Sequence, residues 1–449
     1  MSRLRIPLPL LLLVLQLPLV LNPGYFSHDE LEWLARADVP WGALPWVSWR
    51  DVAPLQYRPL SFNLWLVLAR AFGASAPLMH LVFVLLGTLN GWLLALALAN
   101  LRVSTRIAYV AAIVFMLTPF VVYVHGWTGT LADLLTLGFG LAAFCILRCT
   151  LESAQREYFV AGAIASGLLV AVALLCKESA VVLPALLLLA IPKETAPRKA
   201  AAAVTPAAIV TLAYLAIRLP ILANSAQIDP AYAWSLAHIP ARLADYLLFP
   251  FMPPLLEVGP LLTKSPARLA AAASCVAILL IALATAGWRR PIAWLVAYVV
   301  ALAPVLVLGT AYNQYAYLAS AIGVGIVAGT WSLLGPRARI AMLTLAAIAI
   351  MHGFAVMSRM HAIGSIQRHL CDDLLATLHD SSAPLYVVAA DARDAWLPGR
   401  LLQGVDAYRG TQFGGRVHIG KPPAEAQGRI LAMSRNGRLR APPAELTPD

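Results

Sequence analysis

Charge is what this chain has least of. Of 449 residues, 12% are Asp, Glu, Lys or Arg and 60% are hydrophobic. A soluble domain carries roughly a quarter charged residues, so a water-soluble globule is excluded. Cysteine is scarce too: Cys145, Cys149, Cys176, Cys275 and Cys371 include no Cys-x-x-Cys pair. That argues against a disulfide framework and a cysteine-built zinc site, and Cys145 and Cys149 read as small packing residues on one helix face. Tandem helical repeats are also missing. The net charge of +11 sits largely in short connections between apolar runs, where it marks topology and not a nucleic-acid surface.

What is present is apolar sequence in blocks of about the 20 residues that a bilayer-spanning helix needs. We place spans at 6–21, 78–101, 107–124, 130–147, 158–175, 178–192, 201–219, 269–287, 292–309, 317–334 and 340–357. The fold class expected is an all-α polytopic membrane protein of about eleven transmembrane helices. The first run follows Arg3 and Arg5 like a signal peptide, but Asn22-Pro23-Gly24 lacks a small-x-small cleavage pattern, so we read it as an uncleaved span.

With the N-terminus cytoplasmic, each short inside loop carries at least two cations: Arg102 and Arg106, Arg148 and Arg156, Lys193 with Arg198 and Lys199, Arg289 and Arg290, Arg337 and Arg339. Loops 22–77 and 220–268 and the tail from 358 then face the other side. Their tryptophans suit amphipathic helices lying on the membrane. The reading is a transmembrane domain over 1–357 and a small extracytoplasmic α/β appendage over 358–449, with short runs at Leu385–Ala390, Arg416–Ile419 and Ile430–Met433. So small an appendage is marginal alone and should lean on the membrane body.

The chemistry-bearing residues gather at the outer ends of spans. Ser27-His28-Asp29-Glu30 puts two adjacent carboxylates just beyond the first span. A carboxylate there can take the proton of an attacking hydroxyl. Equally, Ser27 and Glu30 spell a helix capping box. Tyr57-Arg58-Pro59-Leu60 sets a guanidinium at the membrane surface, to clamp a lipid phosphate or to snorkel. Lys177-Glu178 interrupts apolar sequence and reads either as an internal ion pair or as a lysine set against a phosphate. Asp133, after His125-Gly126-Trp127, is either a substrate ligand or an N-terminal helix charge. Gln314 and Tyr315, within Tyr312–Tyr317, suit sugar hydroxyls and rings, although interfacial anchoring also explains the tyrosines. His28, Asp29 and Glu30 match no recognised metal spacing, so no obligatory metal or other cofactor is expected.

In this order the motifs resemble the GT-C class of membrane glycosyltransferases, in particular the protein O-mannosyltransferase-like group with its tetratricopeptide-type relatives. The resemblance lies in Asp29-Glu30, Tyr57–Leu60, Met79-His80-Leu81 with Asn90, Pro119 through Trp127 to Asp133-Leu134-Leu135, Lys177-Glu178 to Leu183-Pro184, and Tyr315-Ala316-Tyr317-Leu318-Ala319-Ser320. It implies a polyprenyl-phosphate sugar donor, inversion at the anomeric carbon and chemistry on the periplasmic side of a bacterial inner membrane. By this resemblance Asp29 is the general base and Glu30 its partner, and Arg58 and Lys177 bind the donor phosphate. His28, Tyr57, His125, Asp133, Glu178, Gln314 and Tyr315 become substrate-site candidates. The family's Glu-Arg before Tyr-x-Tyr-Leu is replaced by Asn313-Gln314, which removes one cation. The repeat array is absent, so a glycolipid or envelope glycan is as fitting an acceptor as a protein.

Two other classes compete. A lipid-substrate transporter or flippase predicts inverted repeats and ionisable residues at the bilayer midplane. An inactive membrane scaffold predicts loss of the acidic pair and Arg58, all of which are retained.

Overall fold

The computed structural model describes residues 7–52, 55–224, 232–259, 265–380, 383–421, 423 and 428–442. Arg3, Arg5, Ser381 and Ser382, and parts of the loops 22–77 and 220–268, lie outside the described residues. The helical body comprises α1 (Pro7–Leu15), α2 (Leu17–Val20), α3 (His28–Ala37), α4 (Pro59–Phe72), α5 (Ala76–Asn100), α6 (Thr105–Leu117) and α7 (Pro119–Gly126). It continues with α8 (Leu131–Glu152), α9 (Arg156–Cys176), α10 (Leu183–Leu189), α11 (Pro197–Ala223), α12 (Ile239–Leu248), α13 (Pro266–Ala284), α14 (Arg289–Leu306), α15 (Tyr317–Thr330) and α16 (Pro336–Asp380).

Among the described residues eight helices are long and apolar enough to cross a membrane, or nine if the bent pair α6–α7 counts as one span. The protein is an integral membrane protein, but three of the eleven expected spans are not single straight helices. The run at 6–21 breaks at Gln16, where Pro18 in the next turn cannot donate a backbone hydrogen bond. The run at 107–124 bends by 64° at Thr118-Pro119, since a residue before proline is pushed out of the helical region. The run at 178–192 opens as a 3-10 turn, Glu178–Val182, before the short α10.

The last helix, α16, has 45 residues and is about 70 Å long at 1.5 Å per residue. That is over twice the hydrocarbon thickness of about 30 Å, so it runs unbroken past 357 and links the bundle to the tail. The loop after α2 lies flat against it. Asn22 Nδ2 donates to Met360 O, and Tyr25 N donates to Gln367 Oε1 at 2.9 Å. A Cβ on Gly364 would stand 1.8 Å from Asn22 Oδ1, so only glycine permits this approach.

The tail folds as β1 (Leu385–Ala389), α17 (Trp396–Leu402), β2 (Ala407–Tyr408), β3 (Thr411–Gln412), β4 (Val417–Ile419), β5 (Arg429–Met433) and β6 (Leu439–Arg440). Its four-stranded sheet has the order β4-β1-β5-β6, with β1 parallel to both neighbours and Leu385 opposite Val417 and Arg429. The three short apolar runs of the tail are β1, β4 and β5. One buried cluster runs from Leu12 and Leu19 through Phe26 and Leu31 to Leu385, Leu401, Phe413 and Leu431. Burying each such side chain is worth about 1.5–3 kcal/mol, so the sheet is held by the core of the body.

Candidate active site

The start of α3 places the acidic pair. Ser27 and Glu30 form the capping box, and Glu30 is fully buried. Its Oε2 accepts from Phe26 N at 2.6 Å and Ser27 N at 2.9 Å, and its Oε1 accepts from Thr128 N at 2.8 Å and Thr128 Oγ1 at 2.6 Å. Burial pushes this carboxyl up to about 7, with the four donors pulling the other way. Glu30 is therefore a clamp between α3 and the turn leading into α8. Trp65 of α4 adds to it by donating Nε1 to Thr128 O at 2.8 Å. Asp29, one residue earlier, turns outward with its side chain 44% exposed.

A cavity of about 350 Å³ opens where α9 breaks. Ser61 Oγ of α4 donates to Cys176 O at 2.9 Å and ends the helix there. Lys177 is extended (φ −159°, ψ 141°), and successive side chains of extended backbone point opposite ways. Lys177 and Glu178 consequently do not pair with each other, as their adjacency suggested they might. Lys177 Nζ donates to Asp133 Oδ1 at 2.5 Å and lies 4.9 Å from the Tyr315 ring centre. Glu178 receives Arg58 Nε at 2.9 and 3.2 Å. Burial disfavours the Arg58 charge, but Glu178, Tyr232 and Tyr315 more than offset this and raise its pKa.

Arg58, Lys177, Glu178, Tyr232 and Tyr315 line one end of the cavity, and Leu215, Leu219, Leu222, Val305 and Leu308 line the rest. Its volume falls in the usual range for ligand sites, roughly 300–1,000 Å³. Lined by two cations and one acid among a larger set of apolar side chains, it suits an amphiphile with an anionic head.

The other candidates are placed differently. Tyr57 is buried, its hydroxyl donates to Trp49 O, and Arg218 lies 5.4 Å over its ring. Arg218 in turn donates to the carbonyls of Val52 and Leu55 at 2.5 and 2.7 Å, so this pair shapes the loop before Arg58. His125 is wholly buried between Gln16 Oε1 (2.7 Å) and Tyr317 OH (2.8 Å), a closed network that Asn90 completes. Gln314 is absent from the cavity lining, whereas its neighbour Asn313 accepts from Val258 N and donates to Leu256 O. The tryptophans divide: Trp41, Trp46, Trp49 and Trp234 are exposed, while Trp65 is buried and Trp33 stacks edge-on against it.

A second polar cluster surrounds His28 and Asp29. His28 Nε2 lies 3.3 Å from Asp29 Oδ1, and its Nδ1 lies 3.1 Å from Arg400 O on α17. The Arg400 guanidinium meets Glu257 at 2.8 Å and Tyr123 OH at 3.2 Å, and sits 4.2 Å over the Phe26 ring. Arg218, Tyr232, Glu257 and Arg400 were not found by reading the sequence. Each is far in sequence from its partners near the site, and the hint was positional only: Tyr232 and Glu257 fall in the loop 220–268 and Arg400 in the tail, segments expected on the outer face. Among the described residues no group of three or more His, Cys, Asp or Glu side chains is arranged to hold a metal ion.

No protein-family model matches the chain, and no curated protein matches it. Solved structures do. ArnT from Cupriavidus metallidurans, bound to undecaprenyl phosphate, superposes with a TM-score of 0.50 at 14% identity, over 87% of this chain and 84% of that one. The archaeal oligosaccharyltransferase AglB from Archaeoglobus fulgidus, in complex with an inhibitory peptide and a dolichol-phosphate, gives a TM-score of 0.46 at 10% identity. That match covers 89% of this chain and 63% of AglB, so the chain spans under two thirds of AglB's length. At such identities the likeness is one of fold, and the fold is GT-C-like.

Proposed function

We propose that this protein is an inverting glycosyltransferase that moves one sugar, a hexose such as mannose, from a polyprenyl-phosphate carrier to an acceptor hydroxyl. The observation that carries the reading is the amphipathic cavity, with Arg58 and Lys177 at its polar end and an apolar wall beyond. An isoprenoid chain suits the wall and a phosphate suits the cations. Undecaprenyl phosphate is a ligand of ArnT, whose fold this chain shares, and that supports a ligand of the same class here.

In this mechanism the phosphate takes Arg58 from Glu178 and draws on Lys177, and these cations stabilise the charge that grows on the leaving phosphate. The acceptor oxygen attacks the anomeric carbon from the opposite face, and the bond to the phosphate oxygen breaks with its electron pair. Asp29 takes the hydroxyl proton. Glu30 orients Asp29 through the capping box and its hold on Thr128. Asp133 and Glu178 keep the two cations paired until the donor arrives. Neutralising the phosphate falls to Arg58 and Lys177, so an obligatory metal is not part of the scheme. The reaction is assigned to the periplasmic face of a bacterial inner membrane, with the N-terminus cytoplasmic and the tail periplasmic. The acceptor is a glycolipid, an envelope glycan or a protein.

The test is Asp29→Asn in membranes supplied with undecaprenyl-phosphate mannose. Release of undecaprenyl phosphate should fall at least 100-fold with insertion and thermal stability retained. Unchanged release removes Asp29 as the base.

A further inference from the structure

We propose that His28 is a proton relay for Asp29, held in the required tautomer by the main-chain carbonyl of Arg400, so that the tail completes the acid–base apparatus of the membrane body. The proposal rests on Asp29 being the base.

The geometry is restrictive. A carbonyl oxygen only accepts, so the 3.1 Å contact of His28 Nδ1 with Arg400 O requires a proton on Nδ1. In the neutral imidazole Nε2 then carries a lone pair, and this atom faces Asp29 Oδ1 at 3.3 Å. Two lone pairs this close gain nothing, whereas a proton on Nε2 turns the contact into an ion pair. The dyad is thus built to receive one proton. When the acceptor hydroxyl gives its proton to Asp29, the proton moves on to Nε2, leaving an imidazolium beside a carboxylate. Water removes it after product release. Ser27 Oγ donates to the other oxygen, Oδ2, at 3.4 Å and limits rotation of the carboxylate.

What holds Arg400 O in place is the side chain of the same residue, through Glu257, Tyr123 and the Phe26 ring. Leu401, fully buried in the shared core, fixes the next position of α17. The charged groups around His28 are Asp29, Glu30 and, one turn on, the Glu32–Arg36 pair on its own helix, and Arg400 with Glu257 and Tyr123 behind it. Other charges on elements packed against α3, Arg70 on α4 and Arg409 at the β2–β3 turn, line a separate cavity with Asp38 at the far end of the helix.

The test is the pH profile of undecaprenyl phosphate release from undecaprenyl-phosphate mannose, in membranes carrying the full chain. The wild-type profile should show an acid limb. His28→Gln should lower the plateau rate roughly 10-fold to 100-fold, leave the donor KM unchanged and move the acid limb to lower pH. Arg400→Ala, which frees the carbonyl from its anchors, should move the limb the same way. A wild-type profile in both variants overturns the relay. An inactive Asp29→Asn alongside that result leaves the base assignment standing, whereas an active Asp29→Asn overturns both.

Discussion

Arg58 Nε donates to both carboxylate oxygens of Glu178, at 2.9 and 3.2 Å, with the two side chains only 22% and 17% exposed. The pair joins the loop before α4 to the break after α9, and it occupies the guanidinium proposed to bind the donor phosphate. Substituting each partner should therefore have opposite effects on the donor. Arg58→Ala removes a charged contact worth about 1.5–3 kcal/mol and should raise the donor KM by roughly 10-fold to 100-fold. Glu178→Gln removes the competitor and should lower the donor KM while costing some stability, since it leaves a half-buried cation without its partner. Titrating transfer rate against donor concentration for both variants decides this; a rise in KM for each would mean that Glu178 supports the phosphate site.

The Lys177–Asp133 pair is buried more deeply, at 4% and 9% side-chain exposure. Breaking a buried pair from one side typically costs about 3–5 kcal/mol, because a lone charge is left in the interior. Lys177→Met and Asp133→Leu should each lower the unfolding temperature in detergent markedly. The double variant should recover most of that loss, as apolar replacement of a whole buried pair often does. It should not recover transfer, because Lys177 is then missing from the phosphate end. Recovery of activity with stability would make the pair purely structural.

Glu30 is buried and accepts four hydrogen bonds, two from Phe26 and Ser27 and two from Thr128. Both of its oxygens face backbone N–H groups, so Glu30→Gln must turn an NH₂ group toward one of them. A protonated carboxyl must likewise turn an O–H toward one of them, so the variant should lie closest to wild type in acid. The difference should therefore depend on pH. Burial pushes the folded-state pKa up to about 7 from the ordinary 4.5, so the folded state holds more protons than the unfolded one in this window. The contribution of Glu30 is then fullest below pH 4.5 and is lost as pH climbs through about 7. By linkage this amounts to about 3 kcal/mol. Thermal unfolding of both forms at several pH values measures it, and wild type gaining stability on the variant as pH rises contradicts it.

Local pattern accounts for what could be read without coordinates. Apolar runs located the spanning helices, the spacing of Ser27 and Glu30 announced the capping box, and short β-rich runs marked three strands of the tail. Breaks were less legible, because Pro18 and Pro119 sit inside runs apolar enough to span. Pairings at long range were not legible at all. Nothing near Glu30 points to Thr128, and nothing near Glu178 points to Arg58. Adjacency suggested instead that Lys177 and Glu178 might meet, whereas extended backbone sends them to opposite sides. His125 looked available in sequence only because its partners Gln16 and Tyr317 are distant. The tail's Arg400 carried no local signal, since its importance comes wholly from where α17 packs.

Asn313 stands where the resembling family often carries an acidic residue, and its contacts suggest what the replacement does. Its Oδ1 accepts from Val258 N at 2.6 Å and its Nδ2 donates to Leu256 O at 3.1 Å, gripping both neighbours of Glu257. Glu257 then reaches Arg400 and Tyr123. Asn313→Ala leaves an N–H and a carbonyl unsatisfied, at about 1–3 kcal/mol each when buried. The loss should reach the chemistry only through Glu257. Transfer should fall modestly, the donor KM should hold, and the acid limb of the rate profile should shift in the direction given by Arg400→Ala. Asn313→Asp keeps the acceptor for Val258 N but sets a second carboxylate oxygen against Leu256 O, so it should be worse than Ala for stability. If Asn313→Ala instead raises the donor KM with an unmoved profile, Asn313 belongs to the donor cavity and not to the frame that holds Arg400.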